Sequence, residues 1–247
     1  MSIKQPYRRT CRQMLDGSYG GGQYIKHQGY ADDPYHYIRA FLLIQQDLRQ
    51  LFEYVEPADE NLKCYSHRIH QLLIRSCIEI EANCKAILFA NGYPDNGSLS
   101  MSDYKKLESS HRLSKYEIRL HFWRGRVLTT VPFCAWKNNG ALTWYQSYNM
   151  TKHNRHKQFK EANFENMIDA VCGLLALLSS QFINDSFSGG PAHLVVRGGA
   201  GGGFEVAIGD FFHVKFPDDW PEDERYDFNW SNLKGEEDPF QNYPYPV

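Results

Sequence analysis

The sequence predicts a mainly α protein: an antiparallel helical bundle followed by a C-terminal extension that contains a β-hairpin. Three long stretches carry apolar residues at steps of three and four, the pattern of a helix with one buried face. After residue 189 apolar residues instead recur at every second position, which is the pattern of a strand. We therefore predict three segments: a loosely ordered tail or strap over 1–33, a helical bundle domain over 34–188, and the extension over 189–247.

The first two predicted helices have recognisable ends. An acidic cap followed by Pro34 suits the start of the first helix, and Pro57 ends it. The second helix is predicted over about 59–90, before the Asn91-Gly92 stop signal. Each of these two helices has one apolar stripe, so we expect each to bury one face.

The chain between the second and the last long helix has a mixed pattern. Residues 102–107 and 114–120 are predicted as short helices that begin at serine caps. From 121 to 136, aromatic and β-branched residues favour extended chain in a short hairpin. The last long helix is predicted over about 159–183, and its wide apolar arc places it in the centre of the bundle.

The extension combines strands with an acidic, aromatic end. Two alternating segments flank Gly209-Asp210, a two-residue turn signal, and predict a hairpin. Residues 193–197 are predicted as a third strand, joined to the hairpin by the glycine-rich loop 198–203. The stretch 217–238 holds nine acidic and two basic residues, and its aromatic side chains lead us to expect that it packs back on the body.

The totals of charge and cysteine limit the classes of function. With 27 Lys and Arg against 29 Asp and Glu, the net charge is −2, so any contact with nucleic acid must be local. The six cysteines include no C-x-x-C pair, which predicts a reducing, cytoplasmic compartment. The longest apolar run, 171–178, is much shorter than the ~20 residues of a membrane span, so we predict no membrane partner.

The stretch 145–158 holds the densest group of ionisable and hydrogen-bonding side chains. If it is helical, two neighbouring rows form, one of Asn149, His153 and His156 and the other of Tyr148, Lys152 and Arg155. An imidazole beside an amide and cations can move protons near neutral pH and stabilise charge on phosphorus. The plainer interpretation is a solvated basic turn at a helix start, with Asn149 as its cap.

The long helices, this motif and the apolar helix directly after it resemble the HEPN superfamily, the higher-eukaryote and prokaryote nucleotide-binding helical domains. Active members carry an arginine, a polar residue that is often asparagine, about three variable residues and a histidine. The resemblance covers about residues 35–185 and depends on 148–153. In that motif Asn149 and His153 match, whereas Tyr148 stands where the arginine belongs.

The resemblance implies a metal-independent ribonuclease without a cofactor, which works as a homodimer with both motifs in one cleft and takes RNA or a nucleotide. Many such proteins serve in bacterial toxin–antitoxin or defence systems. The catalytic set would comprise the acid or base, the orienting amide and two stabilisers of phosphate charge: His153, Asn149, Lys152 and Arg155. Further contacts with the substrate would come from Tyr148, His156 and Lys157.

Three alternatives stay open beside the ribonuclease. Tyr148 in place of arginine favours a non-catalytic module that binds a nucleotide, RNA or protein, with Tyr148 stacking on the ligand or bonding to it. In a structural or assembly protein, the basic turn would instead pair with the acidic stretch 217–238 of its own or a neighbouring chain. That stretch would then compete with nucleic acid for the motif. Cys64, His67 and His70 offer a weaker alternative, a metal site without an apparent fourth ligand.

Overall fold

The computed structural model describes residues 2–20, 22–95, 97–185 and 202–246. These ranges contain seven α-helices: α1 (Pro34–Leu51), α2 (His67–Ala90), α3 (Met101–Tyr104), α4 (Leu107–His111), α5 (Thr143–Gln158), α6 (Phe164–Phe182) and α7 (Trp230–Leu233). They also contain four short strands: β1 (Glu117–Leu120), β2 (Leu128–Thr130), β3 (Glu205–Val206) and β4 (His213–Lys215). The predicted mainly α class is confirmed, and the strands form a small antiparallel sheet; the antiparallel HEPN-like bundle stays a prediction.

Helix α6 forms the centre of the helical core. All its residues except Glu165 and Asp169 are buried, and it packs against α1, α2 and α5. Gly173 permits a close approach, because a Cβ atom there would lie 3.3 Å from Cζ2 of Trp144. The wide apolar arc thus predicted the central position correctly. In the described part of the chain, no helix combines the length and apolar character that a bilayer crossing requires.

Three predicted helix positions are wrong. α2 begins at His67 rather than near residue 59, because the Ser66 side chain accepts a hydrogen bond from the backbone N–H of Ile69 and caps the helix there. α6 begins at Phe164 rather than near 159, with the Asn163 side chain as its cap. Residues 117–120 form strand β1 instead of a helix, and burial alternates along it, as in a strand with one covered face.

The four strands form one antiparallel sheet in the order β2-β1-β4-β3. Ile118 of β1 lies opposite Thr130 on one side and Val214 on the other. The predicted C-terminal hairpin is present as β3 and β4, with Val206 opposite His213. The loop 207–212 is longer than the two-residue turn that the sequence indicates, and the backbone N–H of Ala207 donates across it to the carbonyl of Phe212.

This sheet joins two of the segments that the sequence separates. β1 and β2 belong to the predicted bundle domain 34–188, whereas β3 and β4 belong to the extension 189–247. The pairing of β1 with β4 therefore runs across the predicted boundary. The predicted third strand, 193–197, and the first part of the loop 198–203 lie outside the described residues.

The described N-terminal residues, 2–20 and 22–31, lie as a strap against the body. Arg9, Cys11 and Arg12 are buried, and the backbone N–H of Cys11 donates to the carbonyl of Ser180 in α6. A chain whose cations and backbone are sequestered in this way is held in place. These contacts fit the strap, the second of the two predicted forms of this segment.

Arg12 connects this strap to the C-terminal stretch. Its guanidinium donates to the carbonyl oxygens of Ser110 and Glu224, each at 3.2 Å. The same group lies over the ring of Trp220, 4.7 Å from its centroid. A buried guanidinium needs such partners, because an unpaired charge inside a protein is very costly.

The acidic stretch 217–238 packs back on the body, and Trp220 and Tyr226 are buried. Its carboxylates pair with cations of the strap and of the segment after α4: Asp219 with Arg112 and Lys115, Glu224 with Arg12, Asp227 with Lys4, and Asp238 with Arg8. Among the described residues, none of these carboxylates pairs with 145–160. The hypothesis that the stretch covers the basic motif of its own chain is therefore contradicted.

Candidate functional site

Helix α5 carries the predicted motif and is kinked within it. Asn154 has φ −140° and ψ 52°, which lies outside the helical region. The kink interrupts both rows that a straight helix would form, because it separates His153 from His156 in one row and Lys152 from Arg155 in the other. Asn149 and His153 remain one turn apart on the same face, before the kink.

The seven predicted site residues lie in three environments. Tyr148 is fully buried, and Asn149 is half-buried. The other five are exposed: Lys152, His153, Arg155, His156 and Lys157. The motif therefore presents cations and imidazoles to solvent, but not the tyrosine that occupies the position of the family's arginine.

The Tyr148 side chain makes its contacts inside the protein. Lys152 Nζ donates to its hydroxyl at 3.0 Å and lies 5.0 Å from its ring centroid. The ring of Tyr145 lies 5.3 Å away, and the Tyr145 hydroxyl donates to Glu81 of α2 at 2.7 Å. Burial raises the pKa of Tyr148, and the hydrogen bond to Tyr148 raises the pKa of Lys152. The predicted contact between Tyr148 and a substrate conflicts with this burial.

The end of α5 and the residues after it form a surface that we call the basic surface: His153, Arg155, His156, Lys157 and Lys160. All five side chains are exposed, and none forms an ion pair or a hydrogen bond with another described residue. Their charges and donors are thus available to a ligand.

Phe159 fixes this surface next to the first turn of α2. Its ring centroid lies 4.8 Å from that of His67 and 5.6 Å from that of His70. Tyr65, which is half exposed, contacts the same ring at 5.7 Å. The contacts bring an aromatic side chain and the beginning of α2 beside the exposed cations.

A pocket of about 610 Å³ opens where α1, α2 and the end of α5 meet. Three arginines line it, Arg68 and Arg75 from α2 and Arg155 from the basic surface, whereas His153 does not. Arg75 forms an ion pair with Asp47 of α1. Within the described ranges, neither Arg68 nor Arg155 forms an ion pair with a carboxylate, although Glu53 also lines the pocket, so both guanidinium groups keep free donors.

The same pocket is lined by His70, a buried imidazole. Its Nε2 atom is buried and has no hydrogen-bond partner among the described residues. Burial, then the nearby charge of Arg155 and then that of His67, lowers the pKa of His70. The ring is therefore neutral at pH 7 and retains hydrogen-bonding capacity.

The sequence did not reveal this pocket. Arg68 and Arg75 stand seven residues apart and so share one face of α2, which is a readable signal. The end of α5 adds Arg155 to this face. That contact results from tertiary packing and cannot be read from the spacing of residues in the sequence. The metal-site alternative gains no support, since the described residues hold no group of three or more His, Cys, Asp or Glu side chains suited to a metal.

Comparisons of this chain with protein-family models, with curated proteins and with solved structures find no match. The resemblance to HEPN proteins thus depends on the order of the helices and on the motif alone. The function has to be inferred from the geometry and charge of the site.

Proposed function

We propose that this protein binds single-stranded RNA through the basic surface and does not cleave it. The observation that carries the proposal is the group of exposed cations on this surface, which no carboxylate of the described chain neutralises. Phosphate contacts supply most of the affinity in sequence-independent binding of nucleic acid, and they require such cations. On a protein of net charge −2, a local cationic surface of this kind marks where a polyanion would be held.

Aromatic side chains support a single strand over a duplex. Tyr65 beside Phe159 and Tyr54 at the pocket are both exposed, Tyr54 by 85%. Unpaired bases stack on such rings, whereas the bases of a duplex are stacked on each other. Cations interleaved with exposed aromatic rings are the arrangement that sequence-tolerant single-strand binding uses.

The environment of Tyr148 supports binding rather than cleavage. Where the resemblance places an arginine, this chain has a buried ring whose hydroxyl accepts a hydrogen bond from Lys152. An arginine can hold a phosphate with two parallel hydrogen bonds, and a lysine does not reproduce that geometry. Cleavage is a second candidate because His153 is exposed and one turn from Asn149, so its imidazole is available as an acid or base.

Binding is tested with a labelled, unstructured oligoribonucleotide over a range of salt concentrations. Replacing Lys157→Gln and Lys160→Gln together removes two phosphate contacts, so the slope of log K against log salt should shrink by about 1.4. Lys85→Gln is the matched control, because Lys85 is exposed on α2 and lies ~25 Å along that helix from Arg68. Equal affinities and slopes for the double variant and the control would reject the basic surface as the RNA site.

Cleavage is tested by incubating the same RNA with the wild-type protein and with the His153→Ala variant. The proposal predicts intact RNA in both reactions and retained binding by the variant. Product formed by the wild type, and lost in His153→Ala without loss of binding, would establish the ribonuclease in place of the binding module.

We treat the homodimer that the resemblance implies as a separate proposal. Two copies would combine two basic surfaces, so RNA bound by both should favour the pair by mass action. Light scattering with and without RNA measures the mass directly. A monomer at every concentration, with RNA present, would remove the dimer and leave the proposed RNA binding intact.

A further inference from the structure

The pocket beside the basic surface has the size of a site for one nucleotide. Its volume of about 610 Å³ lies within the roughly 300–1,000 Å³ of small-ligand sites. It adjoins the basic surface directly, because Arg155 belongs to both. A strand that lies along the basic surface could therefore place its end in the pocket.

The charges of the pocket suit a group with more than one negative charge. Arg75 pairs with Asp47, whereas Arg68 and Arg155 form no ion pair in the described ranges; Glu53 also lines the pocket, so three arginines face two carboxylates. A phosphomonoester carries about −1.5 to −2 at pH 7, whereas each internal phosphodiester carries one charge. Two guanidinium groups in one pocket thus match a terminal phosphate better than an internal one.

The first turn of α2 contributes Arg68 and His70 to the pocket. The helix starts at His67, and Arg68 lies in its first turn. The first amide N–H groups of a helix have no partners within the helix and attract anions; here the Ser66 side chain already accepts the N–H of Ile69, so the guanidinium groups supply the main attraction. The buried His70 with its unpaired Nε2 provides an independent indication, because a buried polar atom without a partner marks a position that a ligand can satisfy.

Tyr54 offers a surface for a base on the other side of the pocket. It follows α1, lines the pocket and is 85% exposed. Stacking of a base on an aromatic ring contributes about 1–3 kcal/mol. An exposed ring at the edge of a cationic pocket would be paired with a ligand that has both an anionic and a flat apolar part.

We propose that this pocket holds the terminal phosphomonoester of an RNA strand, with the phosphate between Arg68 and Arg155 and the terminal base on Tyr54. The inference extends the proposed RNA binding, which places the remaining phosphates of the strand on the basic surface. The phosphate belongs to a 5′ or a 3′ end, and the experiment distinguishes the two.

The test compares one oligoribonucleotide sequence in three forms: with a 5′-phosphate, with a 3′-phosphate, and with hydroxyl groups at both ends. One phosphorylated form should bind about tenfold more tightly than the hydroxyl form, as an added charged pair permits. Arg68→Gln should abolish this preference and leave the hydroxyl form within about twofold of wild type. Arg68 is exposed, so the variant should fold, and Lys85→Gln should keep the preference.

The outcomes separate this inference from the proposed function. The Lys157→Gln, Lys160→Gln protein should bind all three forms more weakly and keep the preference for the phosphorylated end. RNA that binds equally well in all three forms would overturn the pocket assignment and leave RNA binding in place. A preference that survives Arg68→Gln would also overturn it.

A second readout remains informative if no oligonucleotide binds. Adenosine 5′-monophosphate and 3′-monophosphate are then compared with adenosine, and the imidazole resonance of His70 is followed by NMR. A bound phosphate should raise the pKa of His70, because it opposes the charge of Arg155 that lowers it. An unshifted His70 titration at saturating nucleotide, or equal binding of adenosine, would refute the site.

Discussion

The ammonium group of Lys152 lies 3.0 Å from the hydroxyl of Tyr148, although the lysine side chain is exposed. Burial raises the pKa of the Tyr148 phenol, so it stays neutral while the lysine stays charged. The contact is therefore a hydrogen bond from a cation to a neutral oxygen. It joins two residues of α5, and the neighbouring Tyr145 forms the hydrogen bond that reaches Glu81 of α2.

Tyr148→Phe tests this assignment. The change removes the hydroxyl and keeps the ring, and Lys152 can turn to water, so the free energy of unfolding should fall by about 1 kcal/mol. Urea denaturation measures the loss, and RNA affinity should be unchanged because the hydroxyl is buried. Tyr145→Phe, which removes the bond to Glu81, is the matched control. Weaker RNA binding by Tyr148→Phe at unchanged stability would place the hydroxyl in the ligand site instead.

At the scale of elements, the loop between β3 and β4 docks on α1. Gln45 donates from Nε2 to the carbonyl of Gly209 at 2.9 Å. Gly209 has φ +78°, and a Cβ atom there would lie 2.6 Å from Gln45 Nε2 and 2.7 Å from Leu42 Cδ2. Glycine thus supplies both the left-handed backbone and the space for contact with α1.

Comparing Gly209→Ala with Gly125→Ala separates the effect of the left-handed backbone from the effect of the close contact with α1. Gly125 has φ +79°, and a Cβ atom there would meet nothing within 4 Å, so its replacement should cost only the backbone strain of about 1–2 kcal/mol. Gly209→Ala should cost about 1–3 kcal/mol more, because the new methyl group overpacks the loop against α1. Chemical denaturation measures both variants, and equal losses would show that the loop does not dock tightly.

The element scale also shows why some signals in the sequence misled. Ser114 was expected to cap a helix, but its N–H and hydroxyl donate to Glu108, which precedes it. Asp59 was expected to start α2, but its carboxylate accepts from Trp123 and Arg126, far along the chain. The long periodic stripe of α6 was assigned correctly, since its burial follows from its own pattern.

At the scale of the whole molecule, contacts between side chains far apart in sequence hold the strap, α4 and the C-terminal residues together. His111 at the end of α4 is fully buried, with Nε2 2.9 Å from the carbonyl of Arg9 in the strap. Its neighbour Ser110 lies 2.6 Å from the Tyr245 hydroxyl near the C-terminus. The exposed cations of the site could be predicted from the sequence because they lie close together in it. The pocket and the contacts of Ser110 and His111 could not, because they depend on packing between distant segments.

Burial lowers the pKa of His111 to about 4, and this makes the stability of the whole molecule depend on pH. Between the ordinary histidine pKa of about 6.5 and pH 4 the unfolded chain binds the extra proton, so stability falls as the pH falls. The loss from His111 between pH 7 and pH 4 should be about 3 kcal/mol.

The measurement is the free energy of unfolding at several pH values for the wild type and for His111→Gln. The variant should depend less on pH over this window, even if it is less stable at pH 7. His156→Gln, the same replacement at an exposed position, is the control. Parallel curves for wild type and His111→Gln would contradict the assignment.

The strap and the last residues of the chain also pair through their backbones. The N–H of Gln241 donates to the carbonyl of Pro6, and the N–H of Arg8 donates to the carbonyl of Gln241. A ribosome that adds about 5–20 residues per second needs roughly 10–50 seconds between these two points. For most of that time Arg12 has been translated but lacks two of its partners, the Trp220 ring and the carbonyl of Glu224. The backbone pairing of the strap therefore cannot form until Gln241 has been translated, and until then this part of the strap is open to chaperones.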